Sequence, residues 1–416
     1  VNNASVHNPW LVLAAGTLAV FGALGLARFG YTVVLPAMQA GLSLDNTQAG
    51  VLASANLAGY LVLAVLGGAL AAHYGPRRVI AGGLLVAGIG MLFTGRAHGF
   101  LPAAAWRCLT GIGSGAANVA VMGMWAAWFA PARRGLASGV AVTGSSLALI
   151  VVGPLAPRLM AVTGPDGWRH CWTLFGGLTL LVALVCWLAI RDRPGEPLAD
   201  LGSPYGRAPV APPAGLQWGL VYRARPVWHL GLVYVAFGFS YMIYLTFFVK
   251  RLVAEGGYNK AAAGDLFMTL GWASLVCGVL WGWLSDRLGR RAALVAIYLV
   301  QALAYGLFAL WPTPTGFTLS ALLFGITAWS IPAVMAAACG DVLGPRLAPA
   351  ALGFITLFFG IGQALGPGVA GAMADASGSF APAYLLAMGV ALLGAGAAAT
   401  LRPPVAVADR DGVTLP

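Results

Sequence analysis

Charge is what this 416-residue chain has least of: Asp, Glu, Lys and Arg together make up 8% of it, against roughly 25% in ordinary soluble domains. Hydrophobic residues account for 60%, more than a water-soluble surface can conceal, so a polytopic membrane protein is expected. Cysteine is also scarce. Cys108, Cys171, Cys186, Cys277 and Cys339 all fall within or at the ends of apolar runs without metal-ligand spacing, and they read as small buried hydrophobes. The five histidines are scattered over termini, connections and span ends, and H-E-x-x-H is absent, which argues against an intramembrane metalloprotease. Ser145 and Ser146 have no evident base, so a serine hydrolase is not supported either. No metal and no cofactor are expected. The net charge of +11 is spread between apolar spans and forms no basic face, so nucleic acid is not an expected partner.

What the chain does have is a series of apolar stretches long enough to cross a hydrocarbon core. They fall near 10–37, 47–72, 79–97, 100–130, 135–162 and 169–190, then 227–250, 260–285, 292–311, 315–340, 348–374 and 380–401. The fold class predicted is an all-α membrane protein of twelve transmembrane helices in two six-helix bundles. The expected divisions are an N-terminal bundle at 10–190, a Pro- and Gly-rich linker at 191–226, a C-terminal bundle at 227–401 and a tail at 402–416. The segment VNNASVHNP before Trp10 has no positive n-region, so no cleavable signal peptide is expected. The tail after Leu401 is too short for a sensor's soluble domain.

Arginine and lysine set the orientation. With the N-terminus inside, the cytoplasmic connections and tail hold 15 of the 23 basic residues and the opposite side holds six, which favours both termini in the cytoplasm. The remaining two, Arg28 and Arg107, lie inside spans. A charge there costs about 2.5–3.5 kcal/mol on an insertion scale, so each needs a partner, an aqueous cavity or a role. None of the twelve acidic residues lies deep in a span. Two intramembrane arginines without an intramembrane carboxylate point to a small anion as the missing partner, held by bidentate hydrogen bonds.

The two halves repeat. Residues 47–78 align without a gap to 261–292 at an offset of 214, so that Gly50 meets Gly264, Gly68 meets Gly282, Gly75 meets Gly289 and Arg77 meets Arg291. Such a duplication is a transporter architecture, with a substrate site expected between the halves near the bilayer midplane. After the eighth span comes GWLSDRLGRR (282–291). Together with the repeat it resembles the signature loop of the major facilitator superfamily, G-x-L-x-D-R-x-G-R-R. The first-half copy, GALAAHYGPRR (68–78), carries Ala72 where that family has the aspartate, so the resemblance places gating on Asp286, Arg287 and Arg290. RCLTGIGSGAAN (107–118) in the fourth span is similar to the family's R-x-x-x-G-x-G motif, which implies an Arg107 directed toward the central cavity. The Gly-Pro pairs Gly153-Pro154 and Gly366-Pro367 resemble a family pattern associated with antiport, although helix kinks give the same pairs.

In this family the first, fourth, seventh and tenth spans line the cavity. The polar and aromatic residues of these spans and their neighbours that are candidates for binding substrate are Arg28, Tyr31, Asn56, Tyr60, Arg107, Asn118, Tyr241, Tyr244, Trp272, Trp329 and Gln363. Asp265 and His229 are candidates for a proton site. The expectation is a secondary transporter of the bacterial cytoplasmic membrane, moving a small organic anion of the monocarboxylate kind by alternating access. The resemblance extends to the bacterial carriers of monocarboxylate, oxalate/formate and cyanate-like anions. A coupled proton or counter-anion is expected with it, in a monomer embedded in the lipid bilayer. The alternative reading is a proton-coupled drug or metabolite efflux antiporter.

Overall fold

A computed structural model describes residues 8–192 and 218–401. Most of the expected linker (193–217) and the whole tail (402–416) lie outside the described residues. Within them the chain is helical, with no strand. This is the form a lipid-embedded chain takes, because a helix satisfies its own backbone groups where no water can. The helices are α1 (Pro9–Gly41), α2 (Asn46–Tyr74), α3 (Pro76–Thr94), α4 (Phe100–Trp128), α5 (Pro131–Thr163) and α6 (Gly167–Ala189). After a six-residue helix at Trp218–Arg223 come α7 (Arg225–Ala254), α8 (Lys260–Leu288), α9 (Arg290–Leu310), α10 (Pro314–Leu343), α11 (Ala351–Ser377) and α12 (Ala381–Ala399). Eleven of these are long and apolar enough to cross a membrane. The twelfth, α4, is 29 residues long, but Arg107, Asn118 and its glycines dilute its hydropathy.

Local sequence explains where the helices begin. Six of them open with a proline at the first or second position, where the missing N–H is no loss. Asp45 caps α2 in a reciprocal box with Gln48. The duplication reaches the backbone at the α2–α3 and α8–α9 turns. Gly75 has φ 87° and Gly289 has φ 83°, a left-handed conformation that suits glycine, and each leads into a helix starting beside the arginines. Three spans are interrupted, α8 by a break between Ser274 and Cys277. α1 widens into a π-helical segment over Phe21–Phe29, and α10 breaks between Gly325 and Ser330. Pro36, a residue able to kink a helix, sits inside the regular helix Gly30–Gly41, and the irregularity of α1 lies about two to four turns earlier. Helical hydrogen bonding then continues from Ser330 to Ser377, through the connection between α10 and α11.

The halves meet along α2 against α11 and α5 against α8, and also where α1 meets α7. At the end of the molecule that carries the 42–45 turn, backbones touch. Gly50 faces the Pro367 carbonyl and Gly371 the Asn46 carbonyl with no room for a Cβ, and a Cβ at Gly153 would lie 2.5 Å from the Gly264 oxygen. There Asp375 caps α2 from the other half, accepting from the Asn46 N–H at 3.0 Å, the Thr47 N–H at 2.7 Å and the Thr47 hydroxyl at 2.5 Å. At the opposite end the same glycine rows have no neighbours: Gly68 and Gly353, like Gly139 and Gly282, have nothing within 4 Å of where a Cβ would be. The protein is therefore closed at the 42–45 end and open at the end of the Gly75 and Gly289 turns.

Candidate substrate site

Arg28 lies on the π-helical segment, facing the other half. It is 7% exposed. Its Nη1 donates to the Tyr241 hydroxyl on α7 at 3.2 Å, and its guanidinium carbon lies 4.5 Å from the centre of the Tyr60 ring on α2. Nε and Nη2, both buried, have no hydrogen-bond partner. The Gln363 side-chain amide of α11 also donates to the Tyr241 hydroxyl. Asn118 on α4 donates to the Tyr60 hydroxyl at 2.8 Å and keeps its own buried oxygen unpaired. Five of the expected residues from five helices are thus joined in one chain of contacts: Asn118, Tyr60, Arg28, Tyr241 and Gln363.

Trp329 borders this group. Its ring lies 5.2 Å from that of Phe29, and its indole N–H donates to Ser146 at 3.1 Å across the halves. Ser146 in turn accepts from Ser274 at 2.7 Å. Phe29, Ser146 and Ser274 were not among the expected residues. The only sequence signal for the serine pair is a small hydroxyl on each of two helices that approach closely, and one sequence does not show which helices approach.

Arg107 sits elsewhere. It is 1% exposed, sealed inside the N-terminal half, with Nη1 donating to the Ala27 carbonyl at 2.6 Å. Tyr31 and Trp172 face its guanidinium at 4.6 and 5.1 Å, an arrangement that favours a cation over the electron-rich ring faces. Tyr31 donates to the Ala49 carbonyl at 2.7 Å, and Asn56 to the Arg107 carbonyl at 3.1 Å. These three residues tie α1, α2 and α4 to one another. Tyr244 belongs to an aromatic cluster within the C-terminal half, where its hydroxyl pairs with Ser320 at 2.7 Å and its ring stacks on Phe324 at 4.4 Å. Trp272 is 56% exposed. The structure brings none of these five to the Arg28 group.

The remaining candidates lie toward the ends. Asp265 is exposed. His229 has its Nε2 2.8 Å from the Ala397 carbonyl, at the open end. Arg290 bridges Asp286 at 2.5 Å and Asp341 at 3.2 Å, tying α8, α9 and α10 together, while Arg287 covers the Trp283 ring at 4.1 Å. Gly153 and Pro367 face the opposite half at the closed end, whereas Gly366 packs on α7 beside the Phe239 carbonyl. Pro154 lies inside α5. Among the described residues no Asp or Glu is buried.

Two bundles related by duplication, a cation held between them and a family model that matches residues 20–399, described as an uncharacterised MFS-type transporter YbfB, decide the family. The chain belongs to the major facilitator superfamily. It is a multi-pass membrane transporter and not an enzyme. Among curated relatives, a probable sulfoacetate transporter of Cupriavidus necator is 26% identical, covering 90% of this chain and 89% of the relative. The hexuronate transporter of Bacillus subtilis is 24% identical over 88% of each chain. Human monocarboxylate transporter 11 is 28% identical over 79% of this chain and 69% of the relative. The fold is shared with a crystal structure of a bacterial homologue of the human lysosomal transporter Spinster, in an inward-facing and unoccupied conformation. The TM-score is 0.74 at 21% identity, over 94% of this chain and 96% of that one.

Proposed function

We propose that this superfamily member moves a small organic anion, of the monocarboxylate or sulfonate kind, across a bacterial cytoplasmic membrane by alternating access, with Arg28 as the anion-holding group. The observation that carries the reading is the division of labour on that one guanidinium. Nη1 is spent on Tyr241, while Nε and Nη2 are buried and unspent. Those two nitrogens form one edge of the guanidinium, a fork that matches the two oxygens of a carboxylate or sulfonate. Tyr60, Trp329 and Phe29 supply an apolar wall, and Asn118 and Gln363 supply polar groups at its margin. The names of the relatives, transporters of sulfoacetate, hexuronate and monocarboxylates, support the same substrate class. The preponderance of arginine at the open end supports an inward-facing state with both termini cytoplasmic.

The coupling follows from charge. The contacts around Arg28 include no carboxylate and no histidine, and Asp265 and His229 lie at the ends of the helices. An empty carrier that occludes must bury an uncompensated cation, which costs about 3–5 kcal/mol more than burying the paired one. Its return is therefore slower than that of the loaded carrier by about two to four orders of magnitude. We infer exchange of one anion for another as the working cycle.

Proteoliposomes loaded with a monocarboxylate test both points. Counterflow of labelled substrate is expected to be fast and net efflux into anion-free buffer slow. Arg28→Gln is expected to abolish counterflow, and Arg28→Lys, which keeps the charge and loses the fork, to retain a small part. Unchanged counterflow in Arg28→Gln would overturn the site. Transport of cationic or neutral drugs in place of anions would establish the efflux reading instead.

A further inference from the structure

A cavity of about 310 Å³ lies on the flank of the N-terminal half between α2, α3 and α4, with no residue of the other half in its lining. Leu63, Val86 and Ile112 are among its walls and Gly82 is part of its floor. Gly82 has nothing within 4 Å of where a Cβ would be, so the floor is open. Tyr74 and Arg78 are the two polar side chains of the lining, and both stand at the end where α2 stops and α3 starts. Exposed Val62, Leu66 and Leu85 belong to the same two helices and give that flank an apolar surface.

The dimensions match one leaflet of a bilayer. From Arg78 to Val86 along α3 is about 12 Å, and from Tyr74 to Leu63 along α2 about 16 Å, at 1.5 Å per residue. Half of a hydrocarbon core is about 15 Å. An acyl chain lying in the groove would thus start at the level of Arg78 and end at the bilayer centre. The charge is available too. Neighbouring Arg77 is turned to the protein: its backbone N–H donates to Asp192 at 2.8 Å, its Nε to the Trp187 carbonyl at 2.7 Å, and its guanidinium lies 4.3 Å from the Trp187 ring. Arg78 is exposed and makes no hydrogen bond or ion pair with any described residue. Its neighbour in sequence carries the structural contacts, and Arg78 is left exposed at the end of the groove.

We propose that this groove is a binding site for one anionic phospholipid of the leaflet at the open end, with an acyl chain between α2, α3 and α4 and the phosphate on Arg78. A single arginine near an anionic membrane surface contributes about 1 kcal/mol, which corresponds to about a fivefold preference for the anionic headgroup. The apolar walls carry the rest of the affinity through burial of the chain.

Native mass spectrometry of the full chain in mild detergent, titrated with phosphatidylglycerol or phosphatidylcholine, tests the site. The unmodified protein is expected to retain one phosphatidylglycerol about fivefold more strongly than phosphatidylcholine. Arg78→Gln is expected to bind the two equally, and Arg78→Lys to restore the preference. Gly82→Leu, which places a side chain in the open floor, is expected to lose both lipids while its melting temperature in lipid-free detergent stays unchanged. The proposal falls if the unmodified protein does not distinguish the two lipids, if Gly82→Leu retains lipid like the unmodified chain, or if Gly82→Leu alters oligomeric mass instead, which would make a second copy the occupant. Should Gly82→Leu prove unstable, the Arg78 variants alone decide it, since they alter only an exposed side chain.

Discussion

Arg28 and Arg107 are the same residue in the same half of the molecule, both buried and both without a carboxylate, yet they do different work. Arg107 is enclosed by Tyr31 and Trp172 and donates to the backbone of α1. Arg28 lies at the boundary between the halves, donates across it to Tyr241, and keeps one edge free. Burial of a cation within a membrane thus does not by itself mark a ligand site. What separates the two is whether the surroundings belong to one bundle, as for Arg107, or to both halves, as for the proposed anion-holding Arg28.

The comparison can be broken most sharply by stability. Arg107→Ala leaves the Ala27 carbonyl without its donor and hollows the aromatic cage, so it is expected to lower unfolding free energy by about 2–4 kcal/mol. Arg28→Ala is expected to leave the melting temperature unchanged or to raise it, since it removes a cation whose burial is only partly compensated. Thermal unfolding in detergent reads both, and equal losses would erase the distinction. A smaller effect is expected at the acceptor that holds Arg28. Tyr241→Phe removes a hydrogen bond to a charged group, worth about 1.5 kcal/mol at the low end, so substrate affinity in a binding assay should fall roughly tenfold. The smallest effect belongs to the closed end. Asp375→Ala deletes three hydrogen bonds between the halves on an exposed surface, and the population open at that end should grow by about fivefold. Distances between spin labels at Ser43 and Ser377 would show a wider component; an unchanged distribution would mean that the glycine contacts alone hold that end shut.

Much of the fold was legible because it rests on local chemistry. Apolar runs, proline starts and the glycine-arginine turns at Gly75 and Gly289 are written at the positions where they act. The intramembrane arginines were legible too, because a charge in an apolar run stands out. Their difference was not. It depends on which way α1 turns at Arg28, and that direction is set by the π-helical segment, for which GALGLARFG carries no signal beyond its glycines. Tyr31, Asn56 and Tyr244 were cavity candidates because they are polar or aromatic on or beside the spans that the family resemblance assigns to the cavity, which names a span without naming the neighbour each side chain meets. Tyr244 shows the consequence: one turn from Tyr241 on α7, its hydroxyl is taken up by Ser320 and its ring by Phe324, inside one half.

The widened segment of α1 has a further consequence. A π-turn accommodates one residue more than the α-helix around it, so Phe21–Phe29 behaves as an insertion stored in the coil. Each residue of an α-helix advances the face by about 100°. Deleting one residue between Gly22 and Gly25 and letting the coil relax would swing the N-terminal turns of α1 by that angle relative to Arg28. The Ala27 carbonyl, one residue before Arg28, is where Arg107 is fastened. The sealed arginine therefore works as a registration pin: it fixes the phase of the helix at the residue next to the proposed anion-holding Arg28.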